Sequence, residues 1–247
     1  RRDSMDNFTC KKMYTYTVNL KDCYDNVAPY GVLNIFQDVA SKHVEEYGYG
    51  FLDLYKLGYL WILVRTKYEV KKSPKPNEEM LIAETWQSEQ GRADFTRDYV
   101  IYSKDGEVLI IGTSKWCLID VNTRRVAPTK VIGTNIVNNE KQNFSEPFKK
   151  LEFENITSGD SYLEKVTFSK VDHNGHMNNA YYAEFIVNAL RLKSNEVIKN
   201  FEIDYLKEVL IDDEILIRSI RNNKEILVEG YNNINNIVLF KAKIELF

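Results

Sequence analysis

One order of patterns occurs twice along these 247 residues. Residues 13–20 (MYTYTVNL) alternate as a strand does, and the polar segment KDCYDNVAPYG follows. Next, VLNIFQDVASKHVEEYG places Val32, Leu33, Ile35, Phe36, Val39, Ala40 and Val44 at spacings of three and four. That periodicity predicts a helix buried on one face and ending near Gly48. The loop GYGFLDLYKLG then leads into four strand-like runs, LWILVRTKYEVKK, EEMLIAETWQSEQ, ADFTRDYVIYSK and EVLIIGTSKWCLIDV. Their separators, KSPKPN, QGR and KDGE, are turn chemistry. The second half restates the order: a strand in TSGDSYLEKVTFS, the polar VDHNGHMNN, a helix in AYYAEFIVNALRLK, and strands in FEIDYLKEV, DEILIRSIR, KEILVEGYN and NIVLFKAKIELF. One helix followed by a four-strand meander makes an α+β unit, because the helix has to bury its apolar face on the sheet. A lone unit leaves an edge strand open, and two copies pairing edge to edge into one sheet remove that liability. The expected architecture is a pseudo-dimer within one chain. Its domains are 1–147 and 148–247, joined through a stretch that carries Pro128 and Pro147.

Composition removes several alternatives. The net charge of −3 gives no sign of a nucleic-acid binder. Three well-separated cysteines, Cys10, Cys23 and Cys117, form neither a disulfide framework nor a CxxC metal pair. The longest apolar runs, such as Leu60 to Val64, are too short to span a bilayer, and RRDSMDNF lacks a signal peptide's apolar core. A soluble cytoplasmic protein with no cofactor is the expectation.

Two of the chain's three histidines and three asparagines gather in VDHNGHMNNAYY, Val171 to Tyr182. In an extended segment Asp172, Asn174 and His176 point to one face and His173 to the other. Asn178 or Asn179 is then placed to cap the helix that follows, whose free N–H groups and partial positive charge can hold a carbonyl oxygen gaining negative charge. A carboxylate, an amide, an imidazole and a potential oxyanion site are parts for hydrolysing an acyl group without a serine nucleophile. Capping alone would equally account for Asn178 and Asn179. A metal pair from His173 and His176 is disfavoured, because the two face opposite ways and no further ligand lies nearby in sequence. Shifting the first copy by about 150 residues sets Asp22 on Asp172, Tyr24 on Asn174 and Asn26 on His176. The first copy keeps the acid and loses the amide and imidazole, so it reads as scaffold and the second copy as the reaction centre.

VDHNGHMNNAYYAEFI resembles the D-x-N-x-H-x-N-N segment of the acyl-acyl carrier protein (acyl-ACP) thioesterases. The resemblance continues, in order, through LWILVRTKYEVKKSPKPNEEMLIAETW, GRADFTRDYVIY and SKWCLIDVNTRRVAP. It implies a hot-dog fold in each half, a long helix wrapped by an antiparallel sheet. It also implies hydrolysis of fatty acyl-ACP to free fatty acid, with Asp172, Asn174 and His176 at the catalytic positions. The family's downstream glutamate–cysteine pair falls on Glu208 and Val209. With no cysteine after Cys117, the resemblance favours Glu208 and a water over a thiol nucleophile. Whether His176 or Glu208 is the base, and whether Asp172 instead attacks through an anhydride, stays open at this level. An acyl-CoA thioesterase and a non-catalytic acyl-binding protein are the rival readings.

The resemblance implies that the first copy sets acyl-chain length, with Val32, Phe36, Val39, Ala40, Trp61 and Leu63 as candidate walls. The implied partner is acyl carrier protein bearing a fatty acyl-phosphopantetheine. Because that carrier is acidic and this chain slightly so, docking would need a local basic patch, for which Arg124, Arg125, Lys130, Lys149, Lys150, Lys170 and Lys193 are candidates. A second copy of the chain is a further candidate partner.

Overall fold

The computed structural model describes residues 9–132, 139, 141–172 and 175–247. By proximity of its residues the chain divides into two compact units. One comprises Arg1–Tyr16, Ile35–Val64 and Pro74–Pro147, the other Thr17–Asn34, Arg65–Ser73 and Phe148–Phe247. The division thus breaks between Pro147 and Phe148. It also assigns two segments of the first sequence copy, 17–34 and 65–73, to the second unit.

The elements follow the repeat. Strand β1 (Cys10–Thr15) is followed by a 3-10 turn at Val18–Leu20 and helix α1 (Pro29–Glu46). Pro29 suits a first helical position, where its missing N–H costs nothing. Val32, Leu33, Ile35, Phe36, Val39 and Ala40 are all buried, as their spacing predicted. The helix stops where Gly48, at φ +76°, donates to Glu45 O while Tyr49 donates to Val44 O. A short helix α2 (Phe51–Lys56) occupies what the sequence offered as a loop. It buries only Leu54, too little to print a helical period. Strands β2 (Tyr59–Val70), β3 (Met80–Gln90), β4 (Phe95–Ser103), β5 (Val108–Asp120) and the two-residue β6 (Val126–Ala127) complete the first half. In the second half come β7 (Asp160–Lys165), a 3-10 turn at Phe168–Lys170, helix α3 (Asn179–Leu190), and strands β8 (Ile198–Tyr205), β9 (Glu214–Asn222), β10 (Glu225–Asn232) and β11 (Val238–Leu246).

The strands are antiparallel, but they do not form the simple meander expected. In the first unit the hydrogen-bonded order is β1-β3-β4-β5-β2, with β6 on β5. In the second it is β2-β8-β11-β10-β9-β7. Strand β2 therefore pairs with β5 and β8 with β11, the last long strand of each copy, and the opening strand takes the place a meander would give it. The connection between β2 and β3 carries Pro74 and Pro76, which cannot serve a two-residue hairpin. Strand β2 appears in both orders because Tyr59–Val64 counts with the first unit and Arg65–Val70 with the second. The latter half runs against β8 from Arg65↔Asp204 to Glu69↔Asn200.

Each unit has its own core. In the first, Phe36 stacks on Tyr99 with centroids 4.2 Å apart, and Leu54, Phe95, Leu118, Ala127 and Ile132 form a second cluster. In the second, Phe185, Phe201 and Phe240 are fully buried and Tyr68 stacks on Phe201. Buried carboxylates hold the segment that enters this unit. Asp204 receives Arg65 Nε at 2.5 Å and Leu151 N at 2.7 Å, and Glu229 receives Ile156 N at 2.7 Å. Removing one partner from such a buried charge is strongly destabilising, about 3–5 kcal/mol. A helix wrapped by an antiparallel sheet, twice in one chain, is the hot-dog architecture in duplicate.

Candidate functional site

The polar junction is a closed turn, not the extended segment that the i, i+2, i+4 argument assumed. Val171 and Met177 form an antiparallel bridge, Asp172 N donates to His176 O at 2.8 Å, and Gly175 N donates to Asp172 O at 3.0 Å. Gly175 reverses the chain at φ +78°, a left-handed conformation open to glycine without cost. The Asp172 carboxylate accepts from His176 N at 3.4 Å. Asp172 and His176 are therefore neighbours through turn closure. Asn174 and His173 lie outside the described residues.

The turn is fastened to the segment after β8. Met177 N donates to Val209 O at 2.8 Å, and His176 bridges to Leu210, whose N–H donates to Asp213 Oδ2 at 2.8 Å. This fastening brings Glu208 to the site. His176 Nε2 lies 3.4 Å from Glu208 Oε2, with the imidazole largely covered and the carboxylate 43% exposed. Glu208 stands beyond the end of β8, on an exposed irregular segment and not in the strand that its surroundings in sequence suggested. Val209, where the cysteine of the family pattern is missing, is fully buried, and its carbonyl braces the turn.

Helix α3 begins at the same place. Asn178 is its N-cap: the side chain accepts from Ala180 N at 3.0 Å and the carbonyl from Tyr181 N at 3.0 Å. Such a cap is worth about 1 kcal/mol. The Asn178 amide oxygen is thereby engaged, whereas Asn179 N–H meets no acceptor among the described residues. Beneath the turn Tyr182 is 3% exposed, edge-on to Tyr205 and Phe240, and Tyr205 OH donates to Asn179 O at 3.3 Å. Burial raises the Tyr182 pKa, and the charges of Glu208, Asp213 and Asp172 raise it further. The phenol stays protonated and feels an acidic site above it. Tyr182 and Tyr205 were missed because aromatic residues at a helix start and a strand end read as ordinary core.

The remaining sequence candidates are dispersed. Val32, Phe36, Val39, Ala40 and Leu63 are buried, and Trp61 lies edge-on to Phe95 while its Nε1 donates to Tyr49 O. The five belong to the buried core, and Trp61, partly buried, packs against the cluster around Leu54 and Phe95. Arg124, Arg125, Lys130, Lys149, Lys150 and Lys193 are exposed. Lys170 is committed to an ion pair with Glu184 and lies over the Tyr181 ring. Among the described residues no group of histidine, cysteine and acidic side chains is arranged to hold a metal, and no helix is long and apolar enough to cross a membrane.

The chain is a tandem hot-dog protein whose second copy sets a histidine and a glutamate beside a capped helix start. Sequence profiles of the acyl-ACP thioesterase N-terminal and C-terminal domains match residues 8–132 and 154–245, and the chain belongs to the acyl-ACP thioesterase family. Oleoyl-acyl carrier protein thioesterase 2, chloroplastic, of Arabidopsis thaliana is 28% identical over 209 residues, covering 74% of this chain and 54% of that protein. An acyl-[acyl-carrier-protein] hydrolase, chloroplastic, of Cuphea viscosissima is 28% identical over 173 residues, covering 64% and 41%. The chain thus spans about half the length of the curated relatives it matches. An acyl-ACP thioesterase from Bacteroides thetaiotaomicron has the same fold, with a TM-score of 0.85, 23% identity and 98% of both chains covered. The 12:0-ACP thioesterase from Umbellularia californica matches at 0.83, with 19% identity and 97% of both chains covered.

Proposed function

We propose that this chain hydrolyses the thioester of fatty acyl-ACP, releasing a free fatty acid and the carrier's thiol, as an enzyme of fatty acid biosynthesis. The pairing of His176 with Glu208 at the start of α3 carries the reading, supported by family membership. With Nε2 turned to Glu208, the other ring nitrogen, Nδ1, is left to take a proton from water. Glu208 orients the ring and steadies the imidazolium that forms. The resulting hydroxide attacks the thioester carbonyl. The oxyanion is held by Asn179 N–H and the positive end of α3. Collapse expels the thiolate, a good leaving group that takes up the proton from His176. Asp172 closes the turn and adds negative charge near the ring. By family pattern Asn174 contributes its amide to the carbonyl. The division of labour we propose gives chemistry to the domain 148–247 and the acyl chain to the domain 1–147, where Val32, Phe36, Val39, Ala40, Trp61 and Leu63 would yield space to it. In that setting each buried methylene is worth about 0.8 kcal/mol.

Single-turnover hydrolysis of acyl-ACP and acyl-CoA over a range of chain lengths tests this directly. Acyl-ACP is expected to turn over faster, and only its rate should fall steeply with salt, since docking to an acidic carrier through exposed residues such as Lys149, Lys150 and Arg125 is screened. Equal rates and equal salt dependence for both carriers would redirect the reading to an acyl-CoA thioesterase. No turnover of either would leave an acyl-binding protein. Label from 18O-water entering the Asp172 carboxylate in one turnover would replace general-base attack by an anhydride.

A further inference from the structure

The first copy's loop, Lys21–Val27, also lies in the second unit, and beside it is a cavity of about 310 Å³. That volume is at the lower end of small-molecule sites. The last turn of α3 and the start of β8 close it, and nothing in the proposed reaction uses it.

Its lining has two characters. Val27, Val70, Val187, Leu192, Val197 and Ile198 give an apolar wall. Lys21 and Arg191 bring positive charge, against the two carboxylates Asp22 and Glu196. Both carboxylates are turned to protein donors. Asp22 accepts from Tyr24 N, Asn26 N and Asn26 Nδ2 at 2.8, 2.9 and 3.1 Å, and Glu196 accepts from Lys193 N at 2.8 Å and Arg221 at 2.7 Å. Of the two cations, Lys21 is largely covered and pairs with the exposed Asp25 at 3.7 Å, so Arg191 is the more open of the two. Arg191 is exposed, with its guanidinium 5.7 Å from the centre of the Tyr162 ring. An apolar wall with two cations suits a chain ending in one negative charge.

We infer that this cavity is a second, non-catalytic site that binds an aliphatic carboxylic acid, its chain against Val187, Leu192 and Ile198 and its carboxylate at Arg191 and Lys21. Only the use of the site rests on the proposed hydrolysis, whose product is such an acid. Occupancy would then report product level to the enzyme at the place where the repeat lost its imidazole.

Cys23, an exposed thiol in the lining, provides the readout. Its alkylation by a small maleimide is followed by peptide mass spectrometry in full-length protein, with decanoate, decanol or acetate added. Decanoate should slow labelling saturably, about fivefold or more, as a ligand burying the rim would. Decanol and acetate should slow it less than about twofold, since each supplies only one of the two characters. Arg191→Asn, which keeps a residue tolerant of the left-handed backbone there, should raise the half-protecting decanoate concentration about tenfold. Val187→Trp, which fills the cavity, should abolish protection. Absence of saturable protection, equal protection by decanol, or undiminished protection in both variants overturns the site. His176→Ala should remain protected. Protein that hydrolyses acyl-ACP but is not protected sinks the cavity alone. Protein that is protected but hydrolyses nothing sinks the reaction alone.

Discussion

At the positions described in both, the loops Lys21–Val27 and Val171–Met177 share their backbone bonds and differ in their side chains. Each follows a 3-10 turn, Val18–Leu20 or Phe168–Lys170, and each is closed by a bridge, Lys21↔Val27 or Val171↔Met177. The closing bond from Asp22 N to Asn26 O is 2.8 Å, and its counterpart from Asp172 N to His176 O is 2.8 Å. The fifth residue is left-handed in both, Asp25 at φ +64° and Gly175 at φ +78°. Ala28 N to Leu20 O and Asn178 N to Lys170 O, each 2.9 Å, then lead into the helices. Every pair is separated by 150 residues. The acid at the second position serves the turn in the first copy, which keeps it without an imidazole and uses it for three hydrogen bonds within the loop. What the second loop adds is His176, and what the chain adds after β8 is Glu208 within 3.4 Å of it.

If that addition is the reaction centre, exchanging corresponding residues should give very unequal results. His176→Ala should lower kcat on acyl-ACP by about 10²–10⁴-fold, the usual worth of a positioned acid–base group. Asn26→Ala should leave it within about twofold, since its side-chain amide donates to Asp22 in the loop that has no imidazole. Comparable losses would mean that the loops serve folding alone. Glu208→Gln comes next, with a fall of roughly 10-fold to 10²-fold in kcat. As Glu208 acts through the ring, the loss should fall on kcat with KM held within about twofold, a split that mere loosening of the segment would not give. A loss carried mainly by KM would separate Glu208 from His176.

The acids should part company in the opposite sense. Asp22 accepts three hydrogen bonds from its own loop, so Asp22→Asn is expected to cost about 1–2 kcal/mol of stability with little change in kcat. Asp172 holds His176 N at a longer 3.4 Å, and Asp172→Asn should lower the rate more than the melting temperature. Denaturant titration and initial rates on both variants decide this. A larger stability loss at Asp172 than at Asp22 would make it another turn former.

Much of this pairing is legible in the sequence. Helix α1 announced itself through Val32 to Ala40, and the 150-residue offset set Asp22 on Asp172 and Asn26 on His176. Two things were not legible, for physical reasons. A local pattern contains no strand order, so the placement of β2 beside β5 was invisible in the runs that suggested a meander. Nor could alternation reveal a turn closed by main-chain bonds and one left-handed glycine. Asp172 and His176 therefore come together for a reason other than the one their spacing offered. Glu208 entered through family resemblance, because no periodicity links a residue after β8 to a loop thirty-odd positions earlier. Helix α2 buries one side chain and left no trace.

The smallest expected effect bears on the feature both loops share. An added Cβ at Gly175 would meet nothing within 4 Å, so any penalty for Gly175→Ala comes from backbone conformation alone. An L-residue held at φ +78° costs about 1 kcal/mol. In a chain of this size that is a fall of roughly 2–4 °C in melting temperature. Asp25→Gly should move stability by less than about 0.5 kcal/mol, because aspartate tolerates the left-handed region and the relief is offset by glycine's freedom in the unfolded chain. If Gly175→Ala melts like the parent and keeps full activity, the second loop is not held in the closed turn, and the equivalence with Lys21–Val27 fails at its root. If it loses activity well beyond its loss of stability, turn closure is what sets His176 against Glu208. The first loop then shows what the same turn does without either residue.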